Sequence, residues 1–360
     1  MTTTANSDNK KNSRTLSPQE AQLAGVRLWL YSIVGLITAM VLVGGATRLT
    51  DSGLSITEWK PILGAIPPLR AADWQVAFDK YRQIPEYQLI NKGMSLSEFQ
   101  FIFWWEWGHR FLGRIIGLAF FVPAVIFWAL GWLPRALKPR IVILFILGGL
   151  QGAVGWWMVA SGLVERVDVS QYRLAVHLTL ACVLFAAVLW VALGLREHKA
   201  DASTSSMRWC ATLLLALVLV QIFVGALVAG MDAGLAYNTW PLMDGAIVPT
   251  GLGAMSPLWL NIFENAKTVQ FDHRMIAYAL WTLALIHALW LSVKPVSNSV
   301  KILAWLIFIA ITGQAIVGIL TLLWAVPLDV ALLHQLGVLV VLAFCVVYLR
   351  RLKGSSNFIG

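Results

Sequence analysis

The chain has 360 residues, 59% of them hydrophobic and only 12% charged, about half the charged share of a soluble domain, which is roughly 25%. Its formal net charge of +9 invites a nucleic-acid partner, but the basic residues gather in short alternate connections between apolar runs. That is the pattern of membrane topology, and it excludes both a soluble globule and a nucleic-acid partner.

Residues 1–26 are polar and read as a disordered cytoplasmic tail. They lack the Arg-rich amphipathic pattern of an organelle transit peptide. The first apolar run, 27–46, reads as a retained anchor, because its counterpart later in the chain lies mid-protein. A long external segment, 47–108, follows, in which Trp74, Phe78, Tyr81 and Tyr87 recur at loosely helical spacing. That spacing predicts a short amphipathic helix along the outer surface. Seven more runs, each near the about 20 residues that a spanning helix needs, lie at 110–130, 140–160, 172–194, 208–230, 274–293, 301–324 and 330–349, with a linker at 198–207 and a tail at 351–360. Arg135, Lys138 and Arg140, then Arg196, Lys199 and Arg208, then Lys294 and Lys301, and finally Arg350, Arg351 and Lys353 occupy alternate connections. Short loops rich in Lys and Arg face the cytoplasm, so both termini are placed inside. Cys182, Cys210 and Cys345 fall within or beside spans, far apart in sequence, and read as packing residues.

The chain repeats itself. GGATRLTDSGLSITEWKPILGAIPP at 44–68 aligns with GALVAGMDAGLAYNTWPLMDGAIVP at 225–249, matching Asp51 to Asp232 and Trp59 to Trp240. Farther on, QGAVG at 151–155 matches QAIVG at 314–318. Four spans per half is an even number, so both halves enter the membrane in the same sense. The expected fold is an all-α integral membrane protein of eight transmembrane helices, arranged as two tandem parallel four-helix bundles with pseudo-twofold symmetry about the membrane normal. The halves are 27–197 and 208–350. Glycines recur in spans three, five and seven, either to let helices approach closely or to make room for a flat ligand.

Of the six histidines, His198 reads as solvated in a cytoplasmic loop and His287 as a packed core residue. His109, His177, His273 and His334 match in pairs between the halves, each expected within the first turn or so of an even-numbered span. Ionisable groups in a membrane are costly and usually functional. Two imidazoles facing each other across a bundle suit haem iron, clamped from both faces. Zinc or copper wants a third or fourth ligand, and no Cys, Asp or Glu is placed at both sites to supply one. Arg48, Arg110, Arg114, Arg173 and Arg274 stand near the same depth, either to bind propionates or to snorkel to lipid phosphates. The halves differ in one respect that matters for chemistry: Glu106, one turn before His109, is matched by Gln270. That acid is either functional or an interfacial residue favoured by the helix dipole.

The GGATRLTDSGLSITEWKPILGAIPPL stretch, EFQFIFWWEWGHRFLGRIIG, the QFDHR pair and the duplicated eight-span frame resemble the haem A synthase family, from about residue 27 to 350. The likeness is to the proteobacterial and mitochondrial form, which lacks an external cysteine pair. The resemblance implies oxidation of the C8 methyl of haem O to a formyl group by successive hydroxylations, giving haem A for cytochrome oxidase in a bacterial inner membrane. It implies haem O between His109 and His177 in the first half, Glu106 as the acid used beside it, and a resident haem B on His273 and His334 in the second. The haem sites would lie toward the periplasm. It also implies handover from a haem O synthase and contact with cytochrome oxidase assembly factors, and it allows a homo-oligomer. Two other readings stand beside it: a bis-histidine dihaem electron-transfer cytochrome, and a transporter, in which parallel repeats also occur. The Glu106 and Gln270 difference speaks against the first, and the gathering of polar residues at the outer surface against the second.

Overall fold

The computed structural model describes residues 17–196, 199–201 and 203–354, and these are helical with no strand. The helices are α1 (Pro18–Leu49), α2 (Ala71–Tyr81), α3 (Pro85–Leu89), α4 (Leu96–Ala129), α5 (Lys138–Val159), α6 (Gln171–Gly194), α7 (Ser205–Gly230), α8 (Asn261–Glu264), α9 (Ala266–Ser292), α10 (Asn298–Leu323) and α11 (Leu328–Lys353). Eight of them, α1, α4 to α7 and α9 to α11, are long and apolar enough to cross a bilayer.

Several helices outrun the apolar stretches that foretell them. Ser17 and Glu20 form a capping box, so α1 starts at Pro18 and the segment 18–26, expected in the disordered tail, is helical. A second capping box, Ser95 with Glu98, starts α4 at Leu96 rather than 110. The chain between α1 and α4 is therefore 50–95. Thr204 caps α7 inside the expected linker, and α11 runs on to Lys353. The physical reason is the same each time: hydropathy marks the depth of the lipid, whereas caps mark the helix end. His198 and residues 1–16 lie outside the described residues.

Each half closes a ring of four helices. In the first, α1 packs on α4 and α6, and α5 joins α4 to α6; in the second, α7 packs on α9 and α11, and α10 joins α9 to α11. The rings meet where α6 packs against α7 and α11, and α1 against α11. Leu30, Ile33 and Val188 of the first half share one buried apolar core with Leu214, Leu342 and Val346 of the second. The outer helices turn Leu118, Val125, Ile146 and Ile309 outward, which suits contact with acyl chains.

The external segment contains the short helix expected from its aromatic spacing. Its helix α2 stands against the first turns of α4, with Trp74 edge-on to Phe103 at 4.9 Å and Phe78 stacked on Phe99 at 4.9 Å. Phe78, Tyr81 and Phe99 are fully buried. The aromatic stripe packs on protein, because the extension of α4 carries its own aromatic face.

The halves are also tied on the loop side. Arg48, at the end of α1, donates to Asp51 at 3.1 Å, Asp168 at 2.9 Å and Asp232 at 3.1 Å. Asp51 and Asp232 both take the left-handed conformation with φ 48°, so the duplicated loops turn in the same way. Aspartate is one of the few side chains that tolerates it.

Candidate functional site

The four matched histidines occupy four equivalent slots. A Cβ added to Gly44 of α1 would lie 2.7 Å from His109 Cε1 of α4; one on Gly155 of α5 would lie 2.9 Å from His177 Cε1 of α6. The second half repeats this, with Gly225 of α7 at 2.8 Å from His273 of α9 and Gly318 of α10 at 2.7 Å from His334 of α11. In each slot only a glycine admits the ring. The other glycines of α5, Gly148, Gly149 and Gly152, have nothing within 4 Å of such a Cβ and so serve no packing contact within the chain. His109 lies within electrostatic reach of His177, and His273 of His334, one pair per half.

The expected depth in the first turn needs correction. His177, His273 and His334 stand about two turns inside their helices, and His109 about 20 Å along α4. The N-terminal turns of α4 belong to the aromatic cluster with α2, which is why His109 lies farther along its helix than the other three. Nδ1 of His109, His273 and His334 is buried without a hydrogen-bond partner. Buried polar atoms are nearly always paired, and the same nitrogen is left open in three of the four matched slots, as it also is in His287. Among the described residues no three or more His, Cys, Asp or Glu side chains converge, so the sites are two-histidine sites.

Glu106 is 3% exposed and all its partners are donors. Ser55 Oγ donates to Oε2 at 2.7 Å, Ile56 N to the same oxygen at 2.6 Å, and Arg110 Nη2 to Oε1 at 2.5 Å. Arg110 also donates to the carbonyls of Ile56 and Glu58, so one charge pair fastens the first loop over α4. Gln270 occupies the same place with its polarity reversed on the loop side. Its Nε2 donates to Ala233 O at 2.8 Å, while Arg274 Nη2 donates to its Oε1 at 2.9 Å. A carboxylate needs donors around it and an amide needs acceptors as well, and each loop supplies the matching set. Ser55 aligns with Ala236, so the hydroxyl is present where the carboxylate is.

The remaining arginines sort by their partners. Arg114 donates to Pro61 O at 2.7 Å and Lys60 O at 2.9 Å, Arg173 to Trp157 O at 2.6 Å, and Arg48 to the three aspartates already described. Arg274 keeps two nitrogens, Nε and Nη1, buried and unpartnered, against one each in Arg48 and Arg114. His287, with Nε2 at 2.8 Å from the Tyr348 hydroxyl, is a packed core histidine as read from sequence. Sequence reasoning missed Ser55, the Ile56 amide and Gln221. The signals were there: Ser55 against Ala236 varies together with Glu106 against Gln270, and QIFVG at 221–225 is a third copy of the QxxVG pattern.

Fold and site together define a class: a helical membrane protein of two repeated four-span halves, each holding a buried histidine pair. The chain matches the COX15-CtaA family model, described as cytochrome oxidase assembly protein, over residues 27–346. It is 58% identical to a "Heme A synthase" of Chelativorans sp., covering 92% of both chains. It is 57% identical to a "Heme A synthase" of Azorhizobium caulinodans, over 90% of this chain and 93% of that one. A "Heme A synthase" of Brucella ovis is 54% identical, with 92% of each chain covered. The chain belongs to this cytochrome oxidase assembly family.

Proposed function

We propose that this chain is a haem A synthase, which oxidises the C8 methyl of haem O to a formyl group. Relatives of that name, 54% to 58% identical over nearly the whole chain, support the reaction. The observation that assigns it to one half is the buried Glu106–Arg110 pair beside His109 and its uncharged Gln270 counterpart. We infer that His109 and His177, in the half 27–197, hold the substrate haem O, and that His273 and His334, in the half 208–350, hold a resident haem B. The unpaired imidazole nitrogens and the four glycine slots fit a flat ligand gripped from two faces. Bound there, haem B supplies one-electron redox chemistry.

Converting a methyl to a formyl group removes four electrons in two hydroxylation steps, the second giving a hydrated aldehyde that loses water. The residues of this chain bind, orient and carry charge for that change. Glu106, surrounded by three donors, stands one turn from His109. It is placed to stabilise positive charge developing at the methyl carbon, or to orient a water and take its proton. The first loop, fastened by Arg110 and Arg114, keeps bulk water from that carboxylate. Arg274, with two unpartnered buried donors, is the arginine best suited to a propionate of haem B. The Lys and Arg distribution supports cytoplasmic termini and haem sites toward the periplasm of a bacterial inner membrane. Haem O would then arrive within the same bilayer from its synthase.

Extraction and chromatography of the non-covalent haems from purified protein tests this reading. Wild type should carry haem B together with haem O or haem A. His273→Ala should lose mainly haem B, and Glu106→Ala should accumulate haem O or a part-oxidised product. Haem B alone, near two per chain, with no effect of Glu106→Ala, would overturn it.

A further inference from the structure

In three of the four slots a glutamine stands one turn before the glycine and hooks the backbone of the histidine opposite. Gln151 Nε2 donates to His177 O at 3.0 Å, Gln221 Nε2 to His273 O at 3.0 Å and Gln314 Nε2 to His334 O at 2.8 Å. The hook holds the main-chain carbonyl, and in two slots the same amide also lies near the ring, Gln151 Nε2 at 3.1 Å from His177 Nδ1 and Gln221 Nε2 at 3.3 Å from His273 Nε2. The Gln Oε1 atoms are buried and unpartnered in all three, which keeps the side chains from being explained as ordinary satisfied amides. The fourth slot breaks the pattern. The segments read QGAVG, QIFVG and QAIVG, but the first is MVLVG, with Met40 where glutamine stands elsewhere. Methionine has no donor, and a Cβ on Gly113 of α4 would lie 3.4 Å from Met40 Cε. Apolar contact replaces the hydrogen bond between α1 and α4.

We propose that Gln151, Gln221 and Gln314 are positioning residues that pin three of the four histidines, and that Met40 leaves His109 as the one free to withdraw. This rests on the reading of the histidine pairs as haem sites, and it deepens that reading. Two axial imidazoles leave no open position on an iron, and a methyl oxidation in which that iron takes part needs one. The unpinned histidine lies in the half that carries Glu106, where an open position is useful. The second half, with both histidines hooked, is built to keep both ligands and pass electrons. Withdrawal of the imidazole takes its electron pair with it, so the step is neither an oxidation nor a reduction.

An interhelical hydrogen bond in a membrane shifts an equilibrium by about threefold to tenfold, which sets the expected effect. The probe is carbon monoxide, mixed with dithionite-reduced full-length protein in nanodiscs, with haem content measured by extraction alongside. In wild type, carbon monoxide should bind the haem of the first half at a rate limited by ligand withdrawal and leave the second half closed. Met40→Gln should slow that binding by about threefold to tenfold at unchanged haem content. Gln221→Met should open the second half to carbon monoxide, and it gives the answer even if Met40→Gln does not fold. Unchanged binding in Met40→Gln, or a second half that stays closed in Gln221→Met, overturns the proposal. Absence of haem from both halves of wild type would instead overturn the haem reading on which it rests.

Discussion

Exchanging one atom pair at Glu106 tests whether the difference between the halves is structural as well as chemical. In Glu106→Gln the side chain keeps its shape but holds one acceptor oxygen and one donor amide. The site offers donors on both sides: Ser55 Oγ and Ile56 N on Oε2, and Arg110 on Oε1. Whichever way the amide turns, its NH2 faces another donor. Leaving one buried donor unpaired costs about 1–3 kcal/mol, and removing one partner of a buried ion pair costs about 3–5 kcal/mol. Arg110 keeps 18% of its side chain exposed and retains two loop carbonyls, so the lower part of the range applies. A loosening of about 2–3 kcal/mol raises the open population of the first loop roughly 30- to 150-fold. Hydrogen exchange by mass spectrometry over 52–62 reads it directly. In Gln270→Glu a carboxylate oxygen would face the Ala233 and Tyr237 carbonyls, and the loosening should appear at 233–240. Unchanged protection of 52–62 in Glu106→Gln would refute the idea that this carboxylate fastens the loop, and with it the structural account of the Ser55 and Ala236 difference.

Gly225→Ala places a methyl 2.8 Å from His273 Cε1, so the protein should lose haem from the second half while retaining it in the first, as read by extraction. Tyr348→Phe removes the 2.8 Å partner of His287; thermal melts should show a loss of about 1–2 kcal/mol with haem content unchanged. Glu86, 5% exposed in α3, has its carboxyl pushed up to about 8 by burial, then by the charge of Glu106, with Asp168 and Asp51 adding to it and a hydrogen bond from Tyr81 opposing. Its folded form holds a proton that the unfolded chain releases near the ordinary carboxyl value of 4.5, so stability of the external segment should be full below that pH, fall as pH rises to about 8, and level off above. The total is at most about 3–5 kcal/mol. Limited proteolysis of 70–95 should therefore accelerate between pH 5 and pH 8.5, and Glu86→Gln should abolish that pH dependence; equal acceleration in the variant would remove Glu86 as its cause.

The membrane class, the spans and the duplication were legible because each rests on a long periodic signal. Twenty apolar residues in a row have few other readings, and four histidines matched in order across two halves are hard to produce otherwise. What the sequence hid was set by contacts between distant segments. The true start of α4 depends on a cap at Ser95, and the aromatic stripe of α2 shows no partner in the sequence until Phe99 and Phe103 are seen beneath it. Arg48, expected at a propionate, is held by Asp51, Asp168 and Asp232, and no local pattern announces the meeting of three carboxylates from separate loops.

The slots also change what the unit of repetition is. Sequence comparison finds two halves, because the loops of 44–68 and 225–249 carry the most visible identities. The structure places each histidine against a glycine of the span just before its own: Gly44 with His109, Gly155 with His177, Gly225 with His273 and Gly318 with His334. The repeated element is therefore a hairpin, an outgoing helix with VG near its end and a returning helix with His about as deep. Four such hairpins make two pairs. A slot of this kind constrains only two positions on each helix, so the rest of the hairpin is free to diverge, and the shorter pattern is lost among apolar residues. The functional differences then fall on the two positions that vary while the slot stays fixed: the residue one turn before the glycine, Met40 against three glutamines, and the residue three before the histidine. In the two hairpins with a long outer loop that second residue is Glu106 and Gln270, and both changes that set the first half apart lie in the same hairpin, around His109.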